Sequence, residues 1–346
     1  VKKAKYKINE AWTGLLPTAS VGGSYSQKRE LYSKDFTSYT SQAGVRLNLY
    51  QGGRVVNTIQ YSQHGLSVTE ALLDKAKMEI VFNVTKAFYT LLLASDFTNL
   101  NKSMLDNSQA HLEAAQARYK NGEAAGQDIL KIEASLTSVK QAYDVSLNQV
   151  ESTQLLLNNL LYLDKDVKII PDDTFTYTLE DIAYDEAFLN AMKNRPEIRQ
   201  YDAQKEQAKK NIEIAKAATR PTIYASWDYY NSSRASLGTT KSWNDYNIAG
   251  ITVSWPIFDG FAAKHKVDQA IVDLKEAQLA KEKLSNDITM ELKNAYISFK
   301  NTIGKLSAIE PDVAVYNDNL ATVKEKYRQG IASSIDLNDA ELKYNI

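Results

Sequence analysis

The sequence predicts a mainly helical α+β chain built as two tandem copies of one unit, each a pair of β-strands joined to a long antiparallel helical hairpin. Three observations predict this: an internal repeat, two stretches of helical pattern too long for a globule, and four short segments of period-two alternation. The repeat governs everything else. Residues 49–138 written over 257–346, an offset of 208 without a gap, pair Gly52 with Gly260, Ile80 with Ile288, Leu112 with Leu320, Tyr119 with Tyr327, Gly122 with Gly330 and Asp128 with Asp336. Upstream the offset becomes 204 and pairs Pro17 with Pro221 and Tyr25 with Tyr229.

Each copy opens on a helical stretch that ends at a proline. In the first strand Ala19, Val21, Gly23 and Tyr25 alternate with Ser20, Gly22, Ser24 and Ser26, the period of two expected when one face is apolar and the other wet. Val45, Leu47 and Leu49 repeat the pattern, as do Ile223, Ala225, Trp227 and Tyr229, and then Ala249, Ile251, Val253, Trp255 and Ile257. The segments between paired strands, QKRELYSKDFTSYT and NSSRASLGTTKSWND, have loop chemistry and are expected to be exposed loops. From Arg54 to Lys120 there is no proline and Gly65 is the only glycine, while apolar residues recur at helical spacing, so one helix of roughly 100 Å is expected. Gly122 then reverses the chain, and Asp128 is expected to cap a return helix through about Leu163. The second copy repeats this from 259 to 328, with a bend or break expected near Glu310 because Gly304 and Pro311 interrupt the pattern.

Composition narrows the function. Lys plus Arg number 41 against 42 Asp plus Glu, so no global field draws the chain to nucleic acid. The absence of cysteine removes disulfides, thiolate metal sites and a cysteine nucleophile. No apolar run is long enough to cross a bilayer as a helix, so any membrane span must use strands. No cleavable leader is seen at the start, VKKAKYKINEAW, and the repeat lacks counterparts at both ends, so a longer chain is expected.

Neither half of the pattern is self-sufficient. Four strands cannot close a barrel, and an open edge in hydrocarbon leaves backbone groups unpaired at several kcal/mol each. Long hairpins likewise leave apolar surface wet unless other helices cover it. Association with further copies is implied. Trp227, Tyr229, Tyr230, Trp243, Tyr246 and Trp255 crowd the strand segments, which fits the aromatic girdles of an outer-membrane barrel; a sandwich core is the alternative.

The strand openings LPTASVGGSYS and RPTIYASWDYY, the exit PIFDGFAAKHKVDQA, the helix NRPEIRQYDAQKEQAKKNIEIAKA and the turn YRQGIASSIDLNDA, in doubled order, resemble the TolC family of outer-membrane efflux proteins over essentially the whole chain. The resemblance implies a homotrimer in which each protomer gives four strands to one twelve-stranded β-barrel and its hairpins to a trimeric α-barrel. It implies strands and exposed loops over 15–51 and 220–258, periplasmic helices over 1–14, 53–163, 182–218 and 259–346, and an equatorial connector at 164–181. The expected place is the outer membrane of a Gram-negative bacterium, in contact with lipid, and the expected partners are a periplasmic adaptor and an inner-membrane transporter.

The resemblance also implies site residues. Asp336 and Asp339, three apart on one helical face, match acidic positions that ring the periplasmic aperture and set cation preference; an N-cap and a solvated charge are the alternatives. Lys131 stands where Asp339 would be in the first copy, so only the second hairpin is acidic. Tyr327 matches a gate position whose acceptor would be Asp128. Ala332 stands where better-known members carry an arginine that ties hairpins together. The tips Asn121, Gly122 and Glu123, with Gln329, Gly330 and Ile331, match the adaptor-binding grooves, although helix capping alone also explains the glycines.

An enzyme is not expected. His64, His111 and His265 lack metal-ligand spacing and read as packed or solvated, Asp172 and Asp173 read as a wet turn, and no phosphate or nucleophile motif is present. No cofactor, metal or nucleic-acid partner is expected. The function expected is a passive exit duct for an inner-membrane pump; a trimeric coiled-coil scaffold without a lumen is the alternative.

Overall fold

The computed structural model describes residues 1–29, 36–122, 125–172, 175, 182–236 and 242–345. Its contacts divide the chain into two units, Val1–Lys75 with Asp185–Met290, and Ala76–Tyr184 with Glu291–Ile346. Two helices of 67 residues each, α2 (Arg54–Lys120) and α6 (Ala262–Arg328), contribute to both units.

In the first unit α1 (Lys2–Thr13) leads into β1 (Thr18–Lys28) and β2 (Phe36–Gln51), and α5 (Pro196–Lys216) leads into β3 (Thr222–Ser236) and β4 (Ser242–Ser254). The strands form one antiparallel sheet in the order β1-β2-β3-β4, so the two copies of the repeat meet at β2 and β3. Two edges remain open within the chain, on β1 and β4, and every residue of both strands is exposed. The ladders run further than polar composition suggested. Phe36–Thr40, Asn231–Ser236 and Ser242–Asp245, expected as loop, are paired strand. Serine, threonine and asparagine are tolerated on the wet face of a ladder, and cross-strand rings such as Tyr25 on Tyr39, 5.1 Å between centroids, hold the register. What remains of the loops, 30–35 and 237–241, lies outside the described residues.

Arg220 ties the strand–helix junctions together. Its guanidinium donates to the carbonyl of Gly52 at 3.0 Å and to Glu213 Oε2 at 3.1 Å. Ion pairs link α5 to the neighbouring long helices: Arg199 with Asp74 at 2.9 Å, Lys75 with Glu197 at 3.8 Å, and Lys281 with Asp202. Buried alanines, Ala71, Ala203, Ala263 and Ala270, let the helix backbones approach closely.

In the second unit α2 packs on α3 (Gly126–Leu160) through Ala87, Leu91 and Leu157, joined by Val84, Val150, Leu160 and Ile169. Burying a leucine as completely as Leu91 stabilises by about 1.5–3 kcal/mol. The chain past α3 is held by Asn158, whose amide donates to the carbonyls of Lys165 and Val167, and residues 164–172 are neither helix nor strand. α4 (Tyr184–Asn194) follows, its Tyr184 edge-on to Tyr296 of α6 at 5.6 Å. α6 itself is unbroken: the helix continues through Gly304 and Pro311, contrary to a break at Glu310, so the rest of a 67-residue helix outweighs the roughly 3 kcal/mol that an interior proline costs. The last helix, α7 (Ser334–Asn345), packs on α6 through Leu320, Leu337, Ala340, Val323 and Tyr327.

Candidate functional site

The two hairpin turns begin alike and then diverge. α2 and α6 both end on a glycine at φ 76°, Gly122 and Gly330, where the left-handed backbone costs glycine nothing. Ahead of α7, Ser333 is the N-cap: its N–H and hydroxyl donate to Asp336 Oδ2 at 2.9 and 2.7 Å, while the Asp336 N–H donates back to Ser333 Oγ at 3.2 Å. This is a reciprocal capping box, with Asp336 in the first turn rather than at the cap. The hydrogen bonds from the Ser333 side chain and backbone hold the Asp336 carboxyl below its ordinary pKa. In the first copy the residue at the Ser333 position is Ala125, which has no hydroxyl, so Asp128 caps nothing and stands in the first turn of α3, 4.0 Å from Lys131. The expected N-cap at Asp128 is therefore corrected to Ala125. Asp336 and Asp339 both present exposed side chains on α7.

Tyr327 and Asp128 are not brought together: the phenol makes no hydrogen bond to that carboxylate within the chain, whose partner is Lys131. Tyr327 is gripped from α2 instead. The Arg118 guanidinium lies 4.9 Å from the ring centroid and donates to the Tyr327 carbonyl at 3.4 Å, and His111 meets the ring edge-on at 6.2 Å. His111 Nε2 is also 3.2 Å from Glu341 Oε1 on α7, with Lys324 of α6 3.6 Å from the same oxygen. Burial pushes the Glu341 carboxyl up, but the His111 hydrogen bond and the charges of His111 and Lys324 outweigh it and leave the pKa below the ordinary value. A cavity of about 120 Å³ opens beside this cluster, between Ser108, Lys131 and Asn338.

Sequence reasoning did not assign Arg118, His111 or Glu341 to this cluster. His111 has no histidine at its repeat mate, and a packed or solvated role was the expectation; no local motif marks the long-range pair. At the tips Asn121, Gly122, Gln329, Gly330 and Ile331 are exposed, Gln329 folding back on Glu325 at 2.9 Å. Glu123 lies outside the described residues. Among those residues no group of three or more His, Asp or Glu side chains could hold a metal ion.

Register separates the aromatics of the sheet into two faces. Directly opposed partners share a face. Val45, Trp227 and Ala249 stand in one row, as do Ala43, Tyr229 and Asn247, and then Tyr39, Ser233 and Trp243, on the apolar face. Gln42, Tyr230 and Tyr246 stand in a row on the other face, with Gly44, Asp228, Arg46 and Ser226 in the neighbouring rows. Tyr246 thus leaves the expected girdle for the polar face, where its ring stacks on Tyr230 at 5.1 Å and 15°. Trp255, just past β4, donates its indole N–H to the Thr219 carbonyl at 3.2 Å.

The family described as outer membrane efflux protein matches residues 1–161 and 189–345. Nodulation protein T of Rhizobium leguminosarum bv. trifolii is 20% identical over 372 residues, covering 99% of this chain and 75% of that protein. Toxin and drug export protein A of Aggregatibacter actinomycetemcomitans is 20% identical over 343 residues, covering 96% and 73%. Among solved structures, the Campylobacter jejuni CmeC outer membrane channel superposes with a TM-score of 0.82 at 17% identity, covering 99% of this chain and 75% of that one.

Proposed function

Because the chain belongs to the outer membrane efflux protein family, and is by that membership an outer-membrane channel for efflux, we propose that it works as a homotrimeric exit duct fed by an inner-membrane transporter through a periplasmic adaptor. The family is one of transport channels rather than enzymes. The observation that carries the trimer is the open, two-faced sheet: β1 and β4 each have an unpaired edge, and the rows containing Trp227 and Trp243 are apolar while those containing Gln42 and Asp228 are polar. Pairing β4 of one protomer with β1 of the next satisfies both edges, and three protomers close a twelve-stranded barrel with lipid outside and water inside.

In this reading 15–51 and 220–258 hold the barrel, 1–14, 53–163, 182–218 and 259–346 the periplasmic tube, and 164–181 the connector between helical tracks. Asp336 and Asp339 place two carboxylates per protomer at the inner aperture, concentrating cations there. Opening is a displacement of the α6–α7 hairpin away from α2, breaking the contacts around Tyr327, with Asp128 as an acceptor reached only in another state or protomer. The tips at 121–123 and 329–331 receive the adaptor. The chain itself is passive; the pump supplies the energy.

Purified protein in a planar bilayer tests this. Discrete ohmic conductance steps from a trimeric species are expected. A trimer that inserts and conducts no ions would refute the duct and leave the lumen-free scaffold.

A further inference from the structure

The polar face of the sheet carries a cluster that nothing in the exit-duct reading requires. Asp228 on β3 stands opposite Gly44 on β2, and a Cβ at Gly44 would collide with the Asp228 carboxylate. The glycine therefore clears a seat across which the carboxylate reaches toward the next row, where Gln42 Nε2 donates to Asp228 Oδ1 at 3.0 Å. Gln42 is directly opposite Tyr230, and Tyr230 is directly opposite Tyr246. The carboxylate is thus drawn toward the foot of the near-parallel Tyr230–Tyr246 pair.

A neutralising cation stands close by and is turned away. Arg46 is opposite Ser226, one row from Gly44 on the other side, yet its guanidinium packs 4.5 Å from the centroid of Tyr224. Among the described residues Asp228 makes no ion pair; its acceptor oxygen is met by the neutral amide of Gln42. One carboxylate without an ion pair, one row from a stacked tyrosine pair, is complementary to an aromatic cation: the charge meets Asp228 and the ring meets the outer faces or edges of the tyrosines.

Resting on the reading that this face lines the water-filled barrel, we propose that Asp228, Tyr230 and Tyr246 form a low-affinity transit site for planar aromatic cations, repeated in each protomer. Its members are specificity-determining residues of the conduit, separate from the carboxylates of α7. Weak binding suits the task, since a site in a passage must release what it holds.

The test is blockade of single-channel current by N-methylacridinium, with tetraethylammonium and naphthalenesulfonate as probes lacking the ring or the positive charge. The acridinium is expected to block at lower concentration than either. D228N preserves size and the Gln42 hydrogen bond, and Y246S removes an exposed ring from β4; each is expected to weaken acridinium block by roughly three- to tenfold. The variant D336N/D339N separates the sources: block that survives it comes from the barrel, and block that it alone abolishes overturns the proposal. Equal block of wild type, D228N and Y246S also overturns it. Absence of conductance in the wild type would instead defeat the duct reading beneath it.

Discussion

Releasing the α6–α7 hairpin from α2 should bias the duct toward its open state, and the structure gives the size of the effect. Side chains of α2 hold the hairpin near the turn through Glu341 and Tyr327. Glu341 accepts from His111 at 3.2 Å with a side chain only 16% exposed, so the charge-assisted bond contributes about 1.5 kcal/mol, the low end for such bonds. Lys324 adds little to the crossing because it lies on α6, within the moving hairpin, and is 45% exposed. Arg118 on Tyr327 contributes about 0.5–1 kcal/mol as a cation–π contact, and its 3.4 Å bond to the carbonyl is too long to add much. Together they hold about 2 kcal/mol per protomer, near a thirtyfold bias in the closed-to-open ratio. E341Q alone should shift that ratio about tenfold and R118A about threefold, and the double variant should shift it more than either, short of or beyond the product because His111 also touches the Tyr327 ring. Open probability and conductance of single trimers in planar bilayers measure it. If the double variant assembles as a trimer and gates as the wild type does, these contacts do not restrain the hairpin and the reasoning fails.

Four other outcomes are expected. The Glu341 carboxyl lies below its ordinary pKa in the folded chain, so its contribution is fully present above the ordinary glutamate value and is lost as pH falls through the lowered one; hydrogen exchange in α7 should accelerate in that acid window. Neutralising Asp336 and Asp339 together should move the reversal potential in a salt gradient toward zero, and an unmoved potential would remove them from the aperture. S333A should cost the start of α7 about 1 kcal/mol, seen as faster exchange of its first turn, whereas A125S should slow exchange at the start of α3 by supplying the hydroxyl the first copy lacks. G52A should impair assembly more than G260A does: both glycines have positive φ, 62° and 68°, but a Cβ at Gly52 would sit 2.7 Å from the Ala217 carbonyl while Gly260 faces open space.

Most of the architecture was legible because its signals are local or repeated. The proline-free run from Arg54 to Lys120, with Gly65 its only glycine, announces a long helix in the first copy, and the offset that pairs Gly122 with Gly330 locates both turns, which adopt the same φ of 76°. Parity was the finest signal and was underused. Tyr246 is an even number of residues from Ile248 and an odd number from Ala249 and Ile251, so alternation alone puts it across the sheet from the apolar residues, as its stack on Tyr230 reflects. Strand ends were misplaced because serine and asparagine on a wet face resemble a loop in composition. The contacts around Tyr327 were illegible for another reason. His111 and Glu341 are 230 positions apart, and no spacing rule links residues that only tertiary packing brings within 3.2 Å.

On the gating proposed above, duplication followed by divergence at a few positions would give one chain both a fixed and a movable hairpin. The α2–α3 hairpin keeps a bare cap at Ala125 and a cation, Lys131, beside its first-turn acid, so its charge is balanced locally. The α6–α7 hairpin has a full capping box at Ser333 and Asp336, which stiffens its own start, and an exposed Asp339 where Lys131 would be. A helix start that is internally satisfied can move as a rigid piece, because none of its backbone donors depend on the neighbouring hairpin. Its ties to α2 around the turn include Arg118 on Tyr327 and His111 on Glu341 and the Tyr327 ring. Such ties are weak singly and few in number, and a restraint of that kind can hold a gate shut and still yield to a partner that binds the open form a few kcal/mol better.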